Sequence, residues 1–265
     1  MTRLGMIGFG AIGRRIAEAV AAGRLEGIEL TTALVRTPRP PSSEKPDITH
    51  DPDWFFRYLL DVVVEGAGHQ AVRDYAVRVL DGGADLYVTS VGAFTDTALL
   101  ERVAHAARAN GRRVYLPAAG IGGLDMLAAL AEGGLDEAVI TVRKDPASWK
   151  GTAAERLTDL DALTAPQVLF DGPVREGAKL YPQNVNISAA TALAGIGLDR
   201  TRVVIIADPT ITTHVCEITA RGPLGSMRFV EDLVPSPENR KTSTLVGHAI
   251  VKTLRNRSAA VVIGG

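Results

Sequence analysis

The sequence predicts an α/β protein in two parts: a doubly wound parallel sheet, and a second α+β domain carrying an open, mostly antiparallel sheet. Three observations predict it. Residues 3–124 alternate short apolar runs with helical patterns, a glycine-rich turn joins the first run to the first helix, and after Asp125 strand-like runs follow one another with few helices between them. Strands separated by helices imply right-handed parallel crossovers.

The elements follow in order. Arg3 to Gly8 is an apolar run ending in glycine, as expected of a strand buried on both faces. Ala11–Ala22 carries Ile12, Ile16, Ala17 and Val20 at helical spacing. Ile28–Val35 reads as a strand, closed by the Pro-rich stretch from Thr37 to Ser43. Asp61–Glu65 is a buried strand followed by a helix over Gln70–Leu80. Leu86–Ser90 and Arg113–Leu116 are two further strands, separated by a helix over Thr97–Asn110. Beyond Asp125 the strand candidates are Val139–Arg143, Gln167–Phe170, Arg202–Ala207, Cys216–Ala220 and Met227–Val230, interrupted by one clear helix, Ile187–Ala194. After Pro235-Ser-Pro a helix returns over Thr242–Leu254, and the apolar run Ala259–Ile263 is expected to add a strand to the first sheet. The expected division is therefore residues 1–124 with 237–265 in one domain and 125–236 in the other.

Composition narrows the function. The chain has 265 residues, 46% hydrophobic and 22% charged, which is ordinary globular usage and excludes intrinsic disorder. Lys+Arg 29 against Asp+Glu 30 leaves a formal charge of −1, against a nucleic-acid or membrane-surface partner. No apolar run reaches the ~18–20 residues that span a bilayer. Glycines break the first apolar stretch, and the Arg14-Arg15 pair follows it, unlike the charge order of a secretory signal. The lone cysteine, Cys216, excludes an intramolecular disulfide, and the five histidines show no metal-ligand spacing. These observations lead to the expectation of a cytoplasmic enzyme without a metal.

Gly8-Phe-Gly-Ala-Ile-Gly13 sits between the first strand and the first helix. Gly8 permits the tight turn, Gly10 lets backbone approach a pyrophosphate, and Gly13 lets helix pack on strand, while the amides of Ala11 and Ile12 open the helix toward the anion. This context points to dinucleotide binding on a Rossmann sheet. The end of the second strand, Leu34-Val-Arg-Thr-Pro-Arg39, has no carboxylate for a ribose 2′-hydroxyl. Arg36 and Arg39 suit a 2′-phosphate instead, so NADP is favoured over NAD, with dual use open. Gly66, Gly68 and Gly92 fall at later strand ends, where open parallel sheets bind ligands. His69 reads as a solvated loop residue.

Several segments together resemble the L-aspartate dehydrogenase family: GFGAIGRRIAEAV, VVVEGAGHQAVRDY, VTSVGAFTD, LPAAGIGGLDMLAAL, RKDPASWKGT, LYPQNVNISAATALAGIGLDRTRVVIIADP and SPENRKTST. The resemblance runs almost end to end. It implies a Rossmann domain followed by a substrate-binding and dimerisation domain, hence a homodimer. It further implies NAD(P)-linked conversion of L-aspartate to iminosuccinate, which water turns into oxaloacetate and ammonia, an activity that can feed NAD biosynthesis. The family's cofactor contacts fall here on Gly120 and Asn186. The family usually has Ser-Gly-Ala where this chain has Ala118-Ala119-Gly120, so a backbone contact at Gly120 survives and a serine hydroxyl contact does not. Asn186 also suits a helix N-cap.

The catalytic histidine of the family aligns with Cys216, and His214 stands two residues before it. In a strand the two point to one face, so either His214 or Cys216 can handle the proton. Oxidising an amine needs a base near neutrality, which favours imidazole over thiol. For substrate carboxylates the candidates are Lys144, at a strand end beside Arg143, and Lys241 with Thr242, expected to open the returning helix. Trp149 and Tyr181 read as packing residues. The competing readings are a relative with another amino-acid or imine substrate, and a catalytically weak NADP(H) sensor.

Overall fold

The computed structural model describes residues 1–38, 46–118, 120–182, 185–236 and 239–264, with the side chains of 239–242 outside what is described. Arg39 and Ala119 lie outside the described residues. The chain divides into two units, Met1–Ala119 with Val246–Gly265, and Gly120–Leu245.

The first unit begins β1 (Thr2–Ile7), α1 (Ala11–Ala21), β2 (Ile28–Leu34), β3 (Asp47–Thr49), α2 (Pro52–Phe55) and β4 (Val62–Glu65). It continues with α3 (His69–Asp81), β5 (Asp85–Val88), a 3-10 segment (Val91–Thr95), α4 (Thr97–Ala109) and β6 (Val114–Tyr115). All pairings in its sheet are parallel, in the order β3-β2-β1-β4-β5-β6. Helical crossovers cover both faces, so the central strands are buried throughout: β4 presents Val62, Val63, Val64 and Glu65, all buried.

The second unit comprises α5 (Leu124–Glu132), β7 (Glu137–Lys144), β8 (Gln167–Pro173), α6 (Val174–Leu180), α7 (Asn186–Ala194), β9 (Arg202–Ala207), β10 (His214–Gly222) and β11 (Gly225–Leu233), then the short pair β12 (Pro235–Ser236) and β13 (Asn239–Ser243). The sheet runs β11-β10-β7-β9-β8, antiparallel except for the parallel β7–β9 pair. Burial alternates strictly along β7 and β10, so Ala138, Ile140, Val142 and Lys144 share a buried face with His214, Cys216, Ile218 and Ala220. Trp149 and Tyr181 are fully buried and meet edge to face, 5.9 Å between ring centroids.

The end of the chain departs from expectation twice. Thr242 does not begin a helix: Asn239–Ser243 is β13, paired antiparallel with β12, and the returning helix α8 runs Leu245–Asn256. The hydroxyl and β-branched residues Thr242 and Ser243 suit extended backbone better than a helix start. Nor does Ala259–Ile263 join the first sheet. The backbone after α8 folds onto Arg255, whose carbonyl accepts from both Ser258 and Ala259, and Val261, Val262 and Ile263 are left exposed.

Helix α8 contributes Ile250, Val251 and Leu254 to the core beside Leu4, Met6, Ile16 and Val62. Arg257, just beyond it, donates to Asp85 at 2.7 Å and ties the returning segment to β5. Leu254→Ala is therefore expected to destabilise the protein by about 2–5 kcal/mol in chemical denaturation. Ile263→Ser should stay within about 0.5 kcal/mol of the parent, and a larger loss would mean that the tail is packed.

Candidate functional site

The strand order of the first sheet reverses between β1 and β4, because β2 and β3 extend one way and β4, β5 and β6 the other. A crevice opens there at the carboxyl ends of the strands. It has a volume of about 570 Å³ and is bordered by Gly8, Gly10, Arg36, His50, Gly66 and Tyr75. Gly8 has φ +92°, and a Cβ there would lie 2.8 Å from the Gly66 carbonyl oxygen, so only glycine fits. A Cβ on Gly10, by contrast, would meet nothing within 4 Å among the described residues. Among the described residues no side chain caps α1 at Gly10. An uncapped helix start with room before it suits a phosphate, and the residues present fit a dinucleotide.

Glu65 shapes the other wall. It closes a run of three valines and is 1% exposed. Its Oε1 accepts from the amides of Ala67 and Gly68 at 2.7 and 2.8 Å and from the Ser90 hydroxyl at 2.8 Å, while Oε2 accepts from the Ser90 amide at 3.0 Å. One carboxylate thus pins the loop after β4 to the loop after β5. Glu65 is a site residue beyond those predicted above, and its signal in the sequence is an acidic residue ending a buried apolar strand before Gly-Ala-Gly. Gly68 ends that loop as the N-cap of α3. His69 is the first residue of α3 and half-buried, not a loop residue. Gly92 is buried in the 3-10 segment. Arg36 is exposed just past β2.

In the second unit, polar groups gather toward one end of the sheet's buried face. Lys144 is 4% exposed, with its ammonium 5.6 Å from the Trp149 ring centroid. His214 and Cys216 are 4% and 3% exposed. Burial pushes the Cys216 thiol up to about 12, Lys144 opposing this and Glu231 adding to it, so the sulfur stays protonated at neutral pH. Arg143, on the other face of β7, is committed elsewhere: its guanidinium pairs with the fully buried carboxylate of Asp208. Burial alone would raise Asp208, but bonds from Thr210 and Arg143 outweigh it and hold the carboxyl below its usual range. Asn186 is not the N-cap of α7, which is Val185; it is the first helical residue. Gly120 belongs to the loop before α5. Lys241 and Thr242 lie in β13, their side chains outside the described residues. Among the described residues no cluster of metal-ligating side chains occurs, and no helix is long and apolar enough to cross a membrane.

Comparison with known proteins agrees with this architecture. Residues 125–257 match the family model "Aspartate dehydrogenase, C-terminal", and residues 8–117 match "Homoserine dehydrogenase, NAD binding domain". The L-aspartate dehydrogenase of Cupriavidus necator is 39% identical over 274 residues, covering 99% of this chain and all of that protein. That of Ralstonia nicotianae is 44% identical over 203 residues, 77% of this chain and 76% of its own length. Among solved structures, aspartate dehydrogenase from Thermotoga maritima superposes with a TM-score of 0.77 at 25% identity, covering both chains completely. On the sequence of both units and on the fold, this chain belongs to the L-aspartate dehydrogenase family.

Proposed function

We propose that this chain oxidises L-aspartate to iminosuccinate with NAD(P), and that water then converts the imine to oxaloacetate and ammonia. The observation that carries the reading is the start of α1 at Gly10, which no side chain caps among the described residues, in a chain whose curated relatives are named L-aspartate dehydrogenases. Those names do not favour the alternatives of a different amino-acid or imine substrate or a sensor.

When bound, the dinucleotide supplies a nicotinamide ring that accepts a hydride. Gly8, Gly10 and Gly13 make room for its pyrophosphate, and the amides of Ala11 and Ile12 bind it. Gly66, Gly68 and Gly92 hold backbone against its nicotinamide half, with Gly120 and Asn186 as further contacts. Arg36 takes a 2′-phosphate, which makes NADP the preferred form. Lys144 offers a buried positive charge to a substrate carboxylate, with Lys241 and Thr242 taking the second.

The chemistry has two proton requirements. The substrate ammonium must lose a proton before hydride can leave C2, and the water that adds to the imine must lose another. His214 serves the second, since imidazole changes charge near neutrality. Cys216, a thiol held neutral by burial, serves neither and is a small packing residue. Residues 1–124 with 237–265 hold the dinucleotide in this reading. Residues 125–236 hold the substrate and the homodimer contact, and the enzyme is cytoplasmic.

Initial rates of NAD+ and NADP+ reduction by L-aspartate test the activity; turnover is expected with at least one, and none with either overturns it. Gly10→Val should leave the melting temperature nearly unchanged, because its Cβ meets nothing among the described residues, yet weaken dinucleotide binding tenfold or more by calorimetry. Arg36→Ala should weaken NADP+ binding about tenfold and NAD+ binding by less than threefold; equal effects on both would remove the 2′-phosphate assignment. His214→Ala should cut kcat about a hundredfold while Cys216→Ser stays within about threefold, and the reverse order would return the proton to sulfur.

A further inference from the structure

Glu231 is the acidic residue of the second unit for which neither fold nor packing accounts. It sits on β11 directly opposite Cys216 of β10, and cross-strand partners share a face. The titratable groups on the strands beside it are therefore His214 and Cys216 on β10 and Lys144 at the end of β7. The loop before α5 carries no titratable side chain, while Asp232 on its own strand alternates to the opposite face. The two carboxyl oxygens are used unequally. Oε2 accepts the amide hydrogen of Gly122 at 3.3 Å, and Oε1 is buried with no hydrogen-bond partner among the described residues. Gly122 lies so close to Phe229 that a Cβ on it would come within 2.5 Å of the ring.

One oxygen is anchored and the other is enclosed without a hydrogen-bond partner among the described residues, which leaves it a lone pair to take up a proton. A purely structural carboxylate would spend both oxygens, as Glu65 does. Burial pushes the Glu231 carboxyl up to about 7, the Gly122 bond offsetting only part of the rise. It is a base above that pH and an acid below it, which is the range an amine-oxidising site requires. Its charge also suits the substrate: a carboxylate attracts an ammonium group, while Lys144 on the same face attracts a carboxylate.

We propose that Glu231 is the base that accepts the proton of the substrate ammonium group, an assignment that rests on the aspartate reading above and divides the two proton requirements between Glu231 and His214. An N–H bond of the ammonium breaks and an O–H bond forms on Oε1, leaving a neutral amine. The C2–H bond then breaks with its electron pair going to the oxidised dinucleotide, and C2=N forms. The carboxyl later releases its proton to solvent, which restores the base.

Glu231→Gln tests this directly, because the amide oxygen still accepts from Gly122 but cannot take the proton. With the wild-type fold and dinucleotide affinity retained, kcat for L-aspartate should fall about a hundredfold. The acid limb of kcat/KM near pH 7 should vanish, and Glu231→Asp should restore part of the rate. A fall of less than tenfold, or an acid limb left in place, overturns the proposal. Should the glutamine variant not fold, carbon-13 titration of glutamate carboxyls in the wild-type chain decides. A midpoint near 7 that moves on adding L-aspartate supports the assignment, and one below 5 overturns it. Absence of aspartate turnover by the wild-type chain would instead sink the substrate reading, and the same titration would still show whether Glu231 exchanges a proton near neutrality.

Discussion

A carboxylate taken out of water must find donors, and in the first unit that requirement falls on Glu65. It is buried where β4 ends, and it meets the requirement by collecting the amides of Ala67, Gly68 and Ser90 together with the Ser90 hydroxyl. Unpaired, such a group would cost several kcal/mol; paired, it sets the course of two loops at the carboxyl edge of the sheet. The Gly8 turn depends on the same neighbourhood, since its backbone packs against Gly66. The crevice is thus built from backbone, with Glu65 as the side chain that holds that backbone in place. A ligand recognised mainly through phosphates needs such a site, because peptide N–H groups donate to it without long side chains having to be ordered.

The second unit handles polar groups differently. Its sheet has one well-buried face, and β7, β10 and β11 place Lys144, His214, Cys216 and Glu231 on it. Burial there has opposite consequences for neighbouring groups. It pushes the Cys216 thiol up to about 12 and the Glu231 carboxyl up to about 7. The same desolvation thus moves the thiol away from neutrality and a carboxyl on the next strand toward it. The Lys144 side-chain nitrogen lies over the Trp149 ring, 5.6 Å from its centroid.

Much of the first unit was legible because its elements are long and periodic. The spacing of Ile12, Ile16 and Val20 specifies α1, and the valine run specifies β4 to within one residue. Short elements escaped: α2 spans four residues, and α6 carries Gly177 in its middle, where a Cβ would press on Val203. Helix α5, Leu124–Glu132, is apolar nearly all round, so no amphipathic stripe announced it. The tail misled for the opposite reason, since an apolar run resembles a buried strand whether or not a partner is available. In the second unit, period-two alternation put His214 and Cys216 on one face directly from sequence. Glu231 could not be found that way. Its properties depend on burial and on a bond to Gly122, 109 residues away in the chain, which is a tertiary fact that no local pattern encodes.

A crystal structure of the wild-type chain grown with oxidised dinucleotide tests the central claim most directly. The account predicts density for the pyrophosphate at the start of α1, within hydrogen-bonding distance of the amides that follow Gly10, with the adenosine half toward Arg36. Density for the dinucleotide elsewhere on the chain, or a crevice without it at saturating concentration, would contradict the account.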